Sequence, residues 1–131
     1  MHSLAIELHK IGHIVSGSDD YIYSPAKTNL EKHNLLPQKE GWNPEAIDNE
    51  IDLIILGMHA KKDNPELLKS NSLGLKVLSF PEFIYNYSKN KKRVVISGSH
   101  GKTTISSMII HVLKHSKINC DFIVGAKIDL I

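Results

Sequence analysis

A single cysteine, Cys120, in 131 residues excludes an internal disulfide and any zinc site built from several cysteines. It stands beside Asp121-Phe122-Ile123-Val124, which reads as a strand, so a buried structural thiol is expected. No apolar run approaches the ~18 residues of a membrane-spanning helix, and no basic N-terminal region leads into an apolar core and a small-residue cleavage site. The expected compartment is the cytoplasm. A dominant charge is also missing: 16 basic against 14 acidic residues leave a formal net charge of +2, which gives no reason to expect nucleic acid or a membrane surface as partner. There is no internal repeat or low-complexity segment. His111 and His115 are four apart, but no acidic residue or third ligand is near them in sequence, and they read as a half-exposed helix face.

What is present is alternation. Leu4, Ala5, Leu8 and Ile11 have helical spacing with Gly12 as a stop, so the sequence opens inside a helix. Ile14-Val15-Ser16-Gly17-Ser18-Asp19 reads as a short strand ending in an acidic residue, and Ser24-Pro25 as the cap and first turn of a helix reaching about Asn34. Asn43-Pro44-Glu45 and Asn64-Pro65-Glu66 both carry a cap, a proline and an acid, the start signal of a helix; Gly74 closes the second. Between them Asp52-Leu53-Ile54-Ile55-Leu56-Gly57 has the continuous apolar character of a strand covered on both faces. Lys76-Val77-Leu78-Ser79 is a further strand, followed by a short helix from Phe80-Pro81-Glu82 that fades near Ser88. This order predicts an α/β fold with a parallel sheet. The polar, basic, aperiodic Ser88-Lys89-Asn90-Lys91-Lys92-Arg93 predicts a linker at residues 89–92, between a first domain over 1–88 and a second over 93–131.

The most specific chemistry lies just past that linker. Arg93-Val94-Val95-Ile96-Ser97 reads as a buried strand running into Gly98-Ser99-His100-Gly101-Lys102-Thr103-Thr104 and then a helix, whose predicted buried face is Ile105, Met108, Ile109, Val112 and Leu113. Strand, glycine turn, lysine and helix make a phosphate-binding loop. Glycines let backbone N–H groups close around phosphate oxygens, and the helix supplies a positive end. The pattern G-x-x-x-x-G-K-S/T is incomplete, because Ile96 stands five before Gly101. A glycine turn with a merely solvated lysine is the competing reading. On the first, Gly98, Ser99, His100 and Gly101 would cradle the phosphates of ATP, Lys102 would stabilise charge on them as the catalytic residue, and Thr103 would ligate Mg²⁺. Thr104 could meet an α-phosphate. His100 could add to the positive field or face solvent.

Asp19 stands where an acidic residue after a strand meets a ribose hydroxyl, or is a turn residue bonding its own backbone; both readings are open. His59 follows the strand end at Gly57, where parallel sheets meet ligands, and it too could lack one.

The Val15-to-Asp19 block, the Asn64-Pro65-Glu66 block and the Gly98-to-Thr104 loop resemble, in order and spacing, the Mur ligases of peptidoglycan synthesis and recycling. Those enzymes also lack the first phosphate-loop glycine, although Ser99 stands where they usually have Thr. The resemblance implies a Rossmann-like UDP-sugar domain without its first strand, contacting UDP-N-acetylmuramate through Asp19 and His59, then the start of a P-loop ATPase domain. Tyr23-Ser24-Pro25, Thr28-Asn29-Leu30-Glu31, Gly57-Met58-His59-Ala60 and Phe80-Pro81-Glu82-Phe83 look most like members that use ATP to join UDP-N-acetylmuramate to L-alanyl-γ-D-glutamyl-meso-diaminopimelate in recycling. Members that add L-alanine are the alternative, and a nucleotide-binding module without catalysis is the rival from another class. The implied reaction is phosphoryl transfer to the muramoyl carboxylate followed by attack of an amine. A fragment, inactive in ligation by itself, is expected.

Overall fold

A computed structural model describes residues 1–125. The chain divides into two compact units, Met1–Ser88 and Lys89–Ile131. The first is α/β. It contains helix α1 (His2–Lys10), helix α2 (Ala26–Lys32), a 3₁₀ turn (Pro44–Ala46), strand β1 (Ile54–Leu56), helix α3 (Pro65–Ser72), strand β2 (Val77–Ser79) and helix α4 (Phe80–Ser88). β1 and β2 pair in parallel with Ile54 opposite Val77, Ile55 opposite Leu78 and Leu56 opposite Ser79, and α3 makes the crossover between them.

The helix boundaries follow from local chemistry. The Asn64 side chain accepts from the N–H groups of Glu66 and Leu67, with Pro65 at the first helical position, so α3 begins where the sequence signal put it. Its end is a Schellman turn in which Gly74 N–H reaches Asn71 O at 3.1 Å and Leu75 N–H reaches Ser70 O at 3.0 Å. α1 closes the same way at Gly12 and His13. α4 starts directly from β2 through a capping box: the Glu82 carboxylate accepts from Ser79 N–H at 2.8 Å and Ser79 Oγ–H at 2.6 Å. α1 packs on α2, and α4 on both strands.

Several expectations are corrected. Residues 14–18 form no strand, and the cap-proline-acid signal at Asn43 yields only the 3₁₀ turn. α2 has Pro25 as its N-cap without a side-chain cap from Ser24, whose hydroxyl pairs with that of Thr28 instead. Ile54, Ile55 and Leu56 are half-buried, because the described sheet has two strands and each edge is open. The buried apolar residues of α1 and α2 are Ile6 and Leu30, whereas Ile11 is 60% exposed.

In the second unit, helix α5 (Lys102–His115) follows the loop as expected, but neither 93–97 nor 121–124 is a strand. A strand exists through its ladder, and Val94, Val95 and Ile123 are exposed with no described strand beside them. α5 buries Ile110, at 5% exposure; Ile109 and Leu113 are half-buried, while Ile105, Met108 and Val112 of the expected face are exposed. Cys120 is half-buried and free. The segment expected as a linker is tied to Asp121 by an ion pair from Lys91 at 2.5 Å. Residues 126–131 of the expected second domain lie outside the described residues.

Candidate functional site

Each unit carries its own candidate residues. In the second unit Gly101 is the N-cap of α5 at φ +77° and ψ −2°, a left-handed conformation that glycine adopts without a Cβ penalty. Gly98, at φ +151°, also occupies a region that side chains disfavour. These two turns fold the loop over the start of α5. The Lys102 ammonium reaches back across it, donating to Gly98 O at 2.5 Å and Ser99 O at 3.3 Å. Among the described residues, no acceptor faces the N–H groups of Ser99, His100, Gly101, Lys102, Thr103 and Thr104; the helix ladder starts with Ile105 N–H on Gly101 O at 2.9 Å.

Unpaired donors, a helix N-terminus and an exposed ammonium suit a polyanion. The donor set fits a triphosphate. All seven loop residues from Gly98 to Thr104 are exposed, and the Thr103 hydroxyl makes no hydrogen bond among the described residues, while its carbonyl accepts from Ser107 Oγ–H at 2.8 Å. One hydroxyl oxygen suits Mg²⁺ in its usual mode, with most ligands supplied by phosphates and water. Among the described residues no group of three or more His, Cys, Asp or Glu could hold a metal ion by itself. His111 and His115 stack at 6.5 Å between ring centroids on the exposed face of α5.

In the first unit His59 lies just past the C-terminal end of β1. Gly57 to Ala60 is a turn closed by Ala60 N–H on Gly57 O at 3.1 Å, and it exposes His59. Met1, the N-cap of α1, comes to the same end: its Cγ is 3.9 Å from where a Cβ on Gly57 would stand. His2, at the first position of α1, is held below the ordinary imidazole range by partial burial and by the positive N-terminus. Asp19 is exposed, and its Oδ1 accepts from Asp20 N–H at 2.9 Å, the turn role left open by the sequence. Its second carboxylate oxygen is free to accept from a ligand hydroxyl.

Four residues that sequence reasoning did not single out as site residues, Glu66, Ser18, Asn43 and Gly41, fix this turn. Glu66 accepts from Ser18 Oγ–H with one carboxylate oxygen and from Asn43 N–H at 2.7 Å with the other, while Gly41 N–H reaches Asp19 O at 2.9 Å. Glu66 was legible only as a helix-start acid, because its partners lie 23 and 48 residues away. A groove lined by His9, His13, Ile14, Asn34 and Leu35, among others, opens beside the ends of α1 and α2. Helix C-termini present carbonyls, which repel an anionic ligand.

No protein-family model matches the chain. The UDP-N-acetylmuramate–L-alanine ligase of Caldicellulosiruptor saccharolyticus is 37% identical over 127 residues, which is 96% of this chain and 27% of that protein. The enzyme of the same name from Dictyoglomus turgidum is 32% identical over 129 residues, 98% of this chain and 27% of that one. The crystal structure of UDP-N-acetylmuramate:L-alanyl-gamma-D-glutamyl-meso-diaminopimelate ligase from Neisseria meningitides superposes with a TM-score of 0.75 at 30% identity, covering 88% of this chain and 36% of that chain. Over nearly all of its length the chain is similar in sequence to Mur ligases. It spans about a quarter of the length of these curated Mur ligases. The α/β fold with its small parallel sheet matches the solved Mur ligase. Among the described residues no helix is long and apolar enough to cross a membrane.

Proposed function

We propose that this chain handles the two nucleotides of an ATP-dependent amide ligase of the cell wall. The Gly98-to-Thr104 loop binds ATP with Mg²⁺, and Asp19 and His59 of the first unit bind UDP-N-acetylmuramate. The observation that carries the reading is the run of unpaired N–H groups over the start of α5, crossed by the Lys102 ammonium. Lys102 exchanges its carbonyl partners for phosphate oxygens, and Thr103 gives Mg²⁺ a hydroxyl ligand. Mg²⁺, when bound, neutralises charge developing on the transferred phosphoryl group. In the first unit the free Asp19 oxygen accepts from a ribose hydroxyl, and His59 lies beside uridine or the diphosphate near the N-terminus of α1.

The amine is the finer question. Joining the tripeptide L-alanyl-γ-D-glutamyl-meso-diaminopimelate, as in recycling, is the first reading, supported by the Neisseria likeness. L-Alanine addition is the second, supported by the names of the sequence relatives. Titration of the chain with ATP·Mg²⁺ and with UDP-N-acetylmuramate tests both sites, and saturable binding of each is expected; failure of either removes the corresponding assignment. The protein as its gene encodes it is then given ATP, Mg²⁺, UDP-N-acetylmuramate and either amine, with phosphate release and the conjugate followed by mass spectrometry. A tripeptide conjugate supports recycling, an alanine conjugate the alternative, and binding without conjugate with either amine a non-catalytic module.

A further inference from the structure

Glu66 occupies the second helical position of α3, where a carboxylate is favoured by the helix dipole. Capping does not use its side chain. The orphan donors at this end, including the Glu66 N–H, are taken by Asn64 Oδ1 at 2.9 and 3.1 Å, and the Ser70 hydroxyl bonds Glu66 O at 2.6 Å from within the same helix. The carboxylate is therefore free to leave the helix, and its two oxygens go to two other segments, Ser18 and Asn43. Gly41 N–H on Asp19 O closes the junction from the other side. Ser18, Asp19, Gly41 and Asn43 belong to segments with no regular structure, so no ladder holds them.

We infer that Glu66 is a positioning residue for nucleoside-diphosphate recognition. It clamps Ser18 and the 41–43 segment to the start of α3, and so fixes the turn that presents the Asp19 carboxylate. The inference rests on the proposed reading of Asp19 and deepens it. Without the clamp the Asp19 turn loses its anchor on α3, and binding has to order it first, which weakens affinity without removing any atom that touches the ligand.

The test is titration of the chain with UDP, comparing the parent with Glu66→Ala, Glu66→Gln, Ser18→Ala and the Ser18→Ala/Glu66→Ala pair. Expected are a tenfold or larger rise in Kd for Glu66→Ala, which loses both links, a smaller rise of at least threefold for Ser18→Ala, which loses one, and in the pair no rise beyond that of Glu66→Ala, whose loss already includes the Ser18 link. Glu66→Gln keeps a side chain that bonds both partners and should stay within about threefold of the parent. ATP binding, which uses the loop of the other unit, should be unchanged in all four. Kd for UDP within twofold of the parent in Glu66→Ala or Ser18→Ala overturns the inference, as does a Gln variant as weak as the Ala variant. Amide exchange separates the clamp from the ligand reading. Gly41 N–H is not bonded to Glu66, yet it should exchange at least tenfold faster in Glu66→Ala if the turn is released, and unchanged exchange overturns the clamp. A parent chain that does not bind UDP overturns the nucleotide reading and the recognition role assigned to Glu66 with it, leaving the exchange result to report only on the turn.

Discussion

Lys102 is the residue on which the phosphate-loop reading depends most directly. Its ammonium satisfies two loop carbonyls, at 2.5 and 3.3 Å, in a setting open to solvent. A triphosphate offers that cation charged partners in place of neutral carbonyls, and such bonds contribute about 1.5–3 kcal/mol. Lys102→Ala is therefore expected to weaken ATP·Mg²⁺ binding by roughly tenfold or more, read by calorimetric titration; a change under about threefold would remove Lys102 from the site. The turn into α5 was legible despite Ile96 because it needs glycines where the backbone bends, and within the loop Gly98 and Gly101 are the two positions with positive φ. Asp19 and His59 were candidates from their positions after apolar runs. Glu66 was not, since nothing local in Asn-Pro-Glu announces a bond to Ser18 across 48 residues.

At the level of elements, helix starts and stops carry most of the local determinism. α4 begins on the Ser79–Glu82 capping box, and the Ser79 hydroxyl and N–H hold the exposed Glu82 carboxyl below the ordinary carboxylate range. A lowered folded value means the ionised cap stabilises α4 fully above the ordinary glutamate pKa and is lost as the pH falls through the folded value. Acid titration of the chain followed by amide exchange in α4 should show that loss, and Glu82→Gln should flatten it. α5 ends with Lys117 at φ +56°, in a Schellman turn where Ile118 N–H meets Leu113 O at 2.9 Å. A lysine there pays a left-handed penalty of about 1–2 kcal/mol, partly offset in glycine by the entropy of its unfolded chain. Lys117→Gly should raise unfolding stability by about 0.5–1 kcal/mol in denaturant titration, and a loss would contradict the turn.

For the molecule as a whole, the question is which apolar residues find partners. The buried apolar set among the described residues is Ile6, Leu30 and Ile110, while Val95 is 84% and Met108 65% exposed. Helical spacing alone assigned Met108 to the core of α5 and passed over Ile110. The two positions should therefore respond in opposite ways to truncation. Ile110→Ala is expected to cost about 2–5 kcal/mol, as a deleted core side chain does, and Met108→Ala to stay within about 0.5 kcal/mol. Chemical denaturation of both variants checks this, and equal costs would mean that the buried face of α5 is the one the spacing gave.

What the amino-acid sequence determined by itself is whatever neighbouring residues can settle among themselves. Asn64-Pro65-Glu66 starts α3, Gly12 and Gly74 stop α1 and α3, and Gly98-to-Thr104 bends into α5, because caps, stops and turns are completed within a few residues. The parallel pairing of the Ile54 and Val77 runs was legible for a related reason, since the α3 crossover between them is read from the same signals. Tertiary structure decided the rest. Residues 14–18, 93–97 and 121–124 have strand-like composition, yet a strand needs a partner's backbone, and none of the described residues supplies one. It also chose Ile6 and Ile110 as buried points of their helices, and it joined Ser18, Asn43 and Glu66. Burial and long-range hydrogen bonds depend on which surfaces meet, and that is a property of the folded chain.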